Sequence, residues 1–583
     1  MEATIPKRRP SYGQGWWRSL VSLDHAVIVV AVLALGVLVL FPLVMLLLQA
    51  LFPAGMLPLQ VFVEAFQTPS NYQAIADSVT VGVVVCLTAG VVGLALAILM
   101  NRTDLRGRRL FEALIWVNFF TPSYLVSLGW IALMQRGGFL DLVLGHTNPF
   151  ASSFFSPGGI ILVLTFKLFP FVYISAGAAV HMIGAEHEEA ARVAGARGWH
   201  IWSRIVIPLL RPAILAGLIL VFAEVISDFG IAATIGQQSG FPLMTLAVYD
   251  YVAAYPINYP MAAAMSTFLV VSMGLALGLQ GLMLRRRSFQ VISGRAHRTS
   301  KVPLGRWQVP AVAFAVVVFV FALGAPFSAV LVMSFMGNIG RGLVASNFGI
   351  QNYQAMIATA QLGVGALWRS VYLSLAAATF TTMLSVVLTY VIYRWRGLSR
   401  AVLNQLTVVS MVVPSIVMAA GYVFAFNQTW LYNLGIALYG TMFLLLLSYI
   451  GQQISMAVRL NLSGVQQISV SLIDAAQVAG AGTVSVLARV VIPLMRKSLV
   501  SVWLLTFVIT MFDLAMSEML YPPGQPTLGV ALVKDFGDLG NVGVGTAQMM
   551  LAISIVLVVV LVVNLVFKGG VSGAGLPGQA TGD

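Results

Sequence analysis

Four carboxylates stand where a side chain is expected to do chemistry. Glu224 and Asp228 lie four residues apart, on one helical face, in an otherwise apolar stretch. Asp513 and Glu518 occupy the matching stretch later in the chain. Ionisable groups in such stretches are costly and usually face a cavity or a partner. Carboxylate oxygens are hard ligands that suit a hard cation passing through. They suit equally well a pairing with Arg or Lys, or the capping of a broken helix, and these readings stay open. Asp228 and Asp513 are favoured because they recur symmetrically. Lys167, also inside an apolar stretch, is expected to snorkel or to pair with one of these acids. Enzyme chemistry finds no foothold. No His, Ser or carboxylate cluster supports catalysis, and the six histidines lack metal-ligand spacing. The single Cys86 lies in an apolar stretch, which leaves no disulfide framework and no thiolate metal site.

A second kind of site is mechanical. Glu189-Ala190-Ala191-Arg192-Val193-Ala194-Gly195 is followed thirteen residues after its glycine by Pro208. Asp474-Ala475-Ala476-Gln477-Val478-Ala479-Gly480 is followed at the same spacing by Pro493. Both copies lie on polar connections between long apolar segments. The acid is expected to open a short helix, favoured by the helix dipole. The alanines allow close approach, so that the helix can sit as a small knob in a partner's cleft. The glycine lets the chain turn out, and the proline starts the approach to the next segment with a fixed φ. Two such loops read as equivalent docking points for a cytoplasmic partner.

The elements that position these sites follow from composition. The 583 residues are 59% hydrophobic and 9% charged, too little charge to cover a soluble globule of this size. A bilayer-spanning helix needs about 20 mainly apolar residues, and the sequence predicts twelve. They run near 26–50, 79–100, 112–134, 159–181, 213–234 and 262–284, then near 310–336, 370–393, 403–427, 432–456, 498–518 and 546–567. Those with Pro122, Pro170, Pro414 or Gly230 are expected to kink. The fold class is therefore all-α polytopic, embedded in a lipid bilayer.

The net charge of +13 invites a nucleic-acid reading, which its distribution contradicts. With the N-terminus inside, only Arg136, Arg341, Arg369 and Lys534 fall on the outer side, and Lys167 within a span; all other Lys and Arg are cytoplasmic. This is the positive-inside bias, and it places both termini in the cytoplasm. Trp16 and Trp17 read as an interface anchor, and the basic start precedes an uncleaved first span.

The halves repeat. Asn71-Tyr72-Gln73-Ala74 matches Asn352-Tyr353-Gln354-Ala355, and Pro122 matches Pro414. An offset of 285 carries Glu189 to Asp474, Arg204 to Arg489, Arg211 to Arg496 and Asp228 to Asp513. Six spans per half predicts two parallel six-helix repeats about an axis along the membrane normal. The expected organisation is a cytoplasmic segment 1–25, a first domain 26–287 with its docking loop at 186–208, and a linker 288–309. A second domain 310–568 follows, with its loop at 471–493, and then a disordered tail 569–583.

The loop pattern, Glu-Ala-Ala, three residues, Gly, nine residues, then Ile-x-Leu-Pro, resembles the signature of ABC-importer membrane subunits, the binding-protein-dependent permeases. Ile207 replaces Leu in the first copy; Asp474, Val490 and Ile492 are mild departures in the second. The resemblance covers nearly the whole chain as two fused permease domains, implying the type I ABC importer, MetI-like permease fold of a bacterial inner membrane. Ser227-Asp228-Phe229-Gly230 and Leu520-Tyr521-Pro522-Pro523-Gly524 look most like the ferric-iron branch. It implies docking of Glu189, Ala190, Ala191, Gly195, Pro208, Asp474, Ala475, Ala476, Gly480 and Pro493 on a dimer of cytoplasmic ABC ATPase subunits. It also implies a periplasmic substrate-binding protein as partner, and a path or gate at Glu224, Asp228, Asp513 and Glu518. No phosphate-binding loop occurs in the chain, so ATP is used by the partner and no cofactor is expected here. Gly236–Pro242 and Pro522–Pro526 read as outer re-entrant turns that could act as a gate, or as plain extracellular turns.

Two rivals remain at this stage. Asp104-Leu105-Arg106-Gly107-Arg108-Arg109 resembles a loop of the major facilitator superfamily, although Met100 stands where that family has glycine. Within importers, thiamine, polyamines, phosphonates and oxyanions compete with iron as substrate.

Overall fold

The computed structural model describes residues 23–53, 58–182, 191, 193–196, 198–285, 302–358, 363–394, 398–537 and 542–566. Glu186, Glu188, Glu189, Ala190, the Trp16-Trp17 pair, most of the linker and the tail lie outside these residues.

The first half runs through α1 (Val29–Leu51), α2 (Pro69–Arg102), α3 (Arg108–Phe120), α4 (Ser123–Met134), α5 (Pro157–Met182), α6 (Ile207–Ser227), α7 (Met244–Ala253) and α8 (Tyr259–Arg285). The second half repeats the order in α9 (Gly305–Ser334), α10 (Val364–Arg394), α11 (Leu398–Val412), α12 (Ser415–Phe426) and α13 (Met442–Val465). It continues in α14 (Val470–Val478), α15 (Ile492–Met511), α16 (Ala515–Leu520), α17 (Leu528–Gly537) and α18 (Val542–Val566). Ten helices are long and apolar enough to cross a membrane, and two bent pairs raise this to twelve among the described residues. Lipid-facing stripes are explicit: Val83, Leu87 and Val91, spaced by four on α2, are 50%, 63% and 71% exposed.

The expected third and ninth spans are the bent pairs. Each breaks at its proline, by 100° at Pro122 and 110° at Pro414. A proline disfavours helix in the residue before it and donates no hydrogen bond, so the chain turns there. Beyond the breaks, α4 buries Tyr124 through Leu133 and α12 buries Ile416 through Phe426 without interruption. Helices apolar on every side belong at the centre. Pro170, by contrast, sits inside the unbroken helix α5. Three predicted spans are also displaced from their expected limits. The fifth stops at Ser227, the eleventh at Met511, and the tenth begins only at Met442, after turns with Gly435 and Gly440 at φ +76°.

Four prolines inside long helices share one solution. Pro42, Pro208, Pro326 and Pro493 each stand two residues past a five-residue π-turn: Gly36–Leu40, Trp202–Val206, Val320–Gly324 and Leu487–Val491. The wider turn makes room for a ring that would otherwise strike the preceding turn. Two of these prolines also join the halves, because α1 packs on α12 and α9 packs on α4. A Cβ on Gly421 would come within 2.9 Å of the Pro42 carbonyl oxygen, and one on Gly129 within 2.9 Å of Pro326 Cβ. Tyr422 Oη donates to the Leu38 carbonyl of the π-turn at 2.7 Å. The first span of each half thus lies against the broken span of the other.

Candidate coupling loops and translocation path

The second predicted docking loop contains α14 and turns at Gly480 with φ +86°; the first predicted loop has Gly195 at φ +81°. Ala196 N donates to Ala191 O at 2.9 Å, and Ala481 N to Ala476 O at 3.0 Å. These matched bonds close each turn around a left-handed glycine, a conformation that glycine permits without steric cost.

Two expectations change. Asp474 does not open its helix; it lies one turn inside α14 and forms an ion pair with Arg394, the last residue of α10, at 3.0 Å. The start of α14 is a Ser469–Ser471 hydroxyl contact at 2.6 Å instead. The alanines also divide their labour. Ala191 and Ala476 pack inward against small apolar cores, which include Ile201, Val206 and Leu210 in one half and Val486, Val491 and Met495 in the other. What stands outward is a residue that the sequence reading passed over. Val193 is 90% exposed and its equivalent Val478 is 88% exposed. Their shared offset of 285 was the available signal.

Pro208 and Pro493 continue their helices rather than start them. Ser203–Ser227 and Val484–Met511 are single helical rods of 25 and 28 residues. At the usual rise these measure about 38 and 42 Å. The rods begin eight and four residues after Gly195 and Gly480, and end one and two residues before Asp228 and Asp513.

The aspartates are therefore at helix breaks, not within spans. Asp228 follows α6 with extended backbone, and its Oδ1 accepts from Ile231 N at 2.7 Å. Asp513 Oδ1 accepts from Met516 N at 2.9 Å and Ser517 N at 3.2 Å, at the start of α16. Both satisfy amides that a new helical turn leaves open. Ser123, the first residue of α4, hydrogen-bonds Asp228. Glu518 lies within α16 and accepts from Tyr249 Oη of the other half at 3.3 Å. Glu224 is exposed, with Lys167 and Asp228 the charges that act on it. Lys167 itself is only 7% exposed and does not snorkel; its Nζ donates to the carbonyls of Asn118 at 2.8 Å and Phe119 at 3.1 Å.

The turns after the aspartates are tied down by serines on α2 and α10. Ser78 Oγ accepts from Met244 N at 2.9 Å, and Ser370 Oγ from Leu528 N at 2.8 Å. Arg369 Nε holds the Pro526 carbonyl at 2.7 Å. Among the described residues no three His, Cys, Asp or Glu side chains converge on a metal site.

Residues 89–289 and 393–569 both match the family described as binding-protein-dependent transport system inner membrane component. The ferric transport system permease protein FbpB of Actinobacillus pleuropneumoniae is 24% identical over 84% of this chain and 70% of its own length. The sulfate transport system permease protein CysT of Escherichia coli is 28% identical over 36% of this chain and 75% of its own, and the molybdenum transport system permease protein ModB of Mycobacterium tuberculosis is 30% identical over 35% and 76%. A solved bacterial ABC transporter that imports alginate aligns with 47% of this chain and 99% of that chain, at 18% identity and a TM-score of 0.39. The family match falls once in each half and covers both docking loops and both aspartate breaks; the chain belongs to the binding-protein-dependent transport system inner membrane components.

Proposed function

We propose that this chain is the fused, two-domain permease of an ATP-driven importer that carries ferric iron into a bacterial cell across its inner membrane. The observation that carries the substrate is coverage. The ferric permease of Actinobacillus pleuropneumoniae aligns through both halves, over 84% of this chain, whereas the sulfate and molybdenum permeases align with about one half. The oxygen-rich path, with Glu224, Asp228, Asp513 and Glu518, suits a hard cation that must bind briefly and leave.

In this reading a cytoplasmic ATPase dimer receives the two docking loops in equivalent clefts, with Val193 and Val478 as their apolar tips. ATP closes the dimer and draws the loops together. The rods ending at Asp228 and Asp513 then shift the outer turns, and a periplasmic binding protein delivers its cargo to the opened side. Both termini face the cytoplasm, as the distribution of Lys and Arg supports. The domain limits 26–287 and 310–568 belong to the same proposal.

The higher identity of the sulfate and molybdenum permeases favours oxyanion import as a second reading. The test is uptake of radiolabelled ferric iron, sulfate and molybdate by cells expressing this chain with its genomic neighbours. ATP-dependent accumulation of iron alone is expected. Accumulation of an oxyanion with no iron would overturn the choice of substrate and leave the permease assignment in place.

A further inference from the structure

The bends at Pro122 and Pro414 leave the last carbonyls of α3 and α11 without helical partners. In the first half these fall to Lys167, whose Nζ reaches Asn118 O and Phe119 O; Asn118 Nδ2 reciprocates to Phe166 O at 2.8 Å. The offset of 285 carries Lys167 to Gln452 and Phe166 to Gly451, while the offset between the two prolines carries Asn118 to Ser410. These residues make related but not identical bonds: Lys167 takes two of the last carbonyls of α3, whereas Gln452 takes the carbonyl of Val413, the residue after α11, and a hydroxyl just past the break. Gln452 Nε2 donates to Val413 O at 3.4 Å and to Ser415 Oγ at 3.3 Å, and Ser410 Oγ donates to Gly451 O at 3.1 Å. A charged and a neutral side chain thus both donate at a proline break from pseudo-equivalent places.

We propose that Lys167 and Gln452 are positioning residues that clamp the two broken spans, and that donation to the break, rather than positive charge, is what they share. Lys167 lies ten residues from the start of α5 and fifteen from its end, so the clamp is about 15 Å from one end of that helix and 22 Å from the other. This is close to mid-membrane, where a backbone carbonyl without a donor costs most. The clamp fixes the direction in which α4 leaves the break, and with it Ser123 against Asp228. Gly230 belongs to the same junction: a Cβ there would meet Ser123 Oγ at 2.6 Å and Tyr124 N at 2.9 Å. Loosening α4 therefore loosens the aspartate that ends the first rod. The second half uses the weaker, longer pair of bonds, so the two breaks differ in stiffness. The clamp requires no assumption about the substrate.

The test is electron–electron resonance distance measurement on the full chain in nanodiscs, in a Cys86→Ala background. One label pair replaces Leu110 and Val143 across the first break, and another replaces Val402 and Trp430 across the second; all four are exposed. Lys167→Leu should broaden the first distribution at least twofold and leave the second unchanged. Lys167→Gln should keep both narrow, as the amide does in the other half. An unchanged first distribution in Lys167→Leu would overturn the proposal. So would equal broadening at both breaks, which signals general loosening, or a Lys167→Gln as broad as Lys167→Leu, which would make charge the essential property. Should Lys167→Leu not be recovered from membranes, the exchange of Lys167→Gln with Gln452→Lys decides. Recovery with two narrow distributions supports interchangeable clamps, and failure to assemble or broadening at either break refutes them.

Discussion

Replacing Gly195 and Gly480 by alanine isolates the coupling loops from everything else in the molecule. Both glycines have left-handed φ, +81° and +86°, and a Cβ at either would find nothing within 4 Å. No clash accompanies the change, so its cost is conformational: about 1–2 kcal/mol for an L-residue other than glycine held in this region. The closing bonds Ala196 N to Ala191 O and Ala481 N to Ala476 O exist only with that turn in place. The loops belong to separate halves and share no apolar core, so the two costs should add. Together they amount to about 2–4 kcal/mol, a loss of roughly 30- to 1,000-fold in the population ready to dock. The assay is the affinity of the ATPase partner for the chain in nanodiscs, measured beside substrate-stimulated ATP hydrolysis. Asparagine tolerates left-handed φ better than other residues do, so the double asparagine variant should recover most of the loss. Wild-type affinity within threefold for the double alanine variant, or an asparagine variant as weak as it, would refute the reasoning.

Other consequences are more local. Gly421→Ala and Gly129→Ala drive a methyl into the Pro42 and Pro326 contacts and should each cost about 1–3 kcal/mol, read as a lower unfolding midpoint by tryptophan fluorescence in detergent. Gly278→Ala, which meets nothing within 4 Å, should leave the midpoint unchanged or raise it. Asp474→Asn breaks a half-exposed ion pair with Arg394 and should weaken ATPase docking by about fivefold at most, an effect that fades at high salt. Glu224→Gln should lower iron uptake more than tenfold while stimulated ATP hydrolysis persists; loss of both together would make Glu224 structural rather than a path residue.

Much of this architecture was legible in the sequence because its signals are periodic or repeated. The proline breaks at 122 and 414 announced themselves as X-Pro steps in apolar runs, and the docking loops as a repeated motif with glycine at a fixed place. The ends of α6 and α15 were hidden, since Phe229 to Ile235 is nearly as apolar as the helix before it and hydropathy cannot see a turn capped by Asp228. The π-turns leave no hydropathic trace either. The Lys167 and Gln452 clamps were obscured for another reason: a charged and a neutral residue look unrelated until the repeat offset is applied to them. Asp474 misled because an acid beside two alanines suits a helix start by propensity, whereas Arg394, distant in sequence, claims it one turn later.

Reconstitution in proteoliposomes tests the central claim most directly. The purified chain alone should neither hydrolyse ATP nor accumulate substrate on a proton or sodium gradient. Adding the ATPase, ATP on the docking-loop side and the loaded binding protein on the other should start accumulation. Gradient-driven uptake by the chain alone would contradict the account.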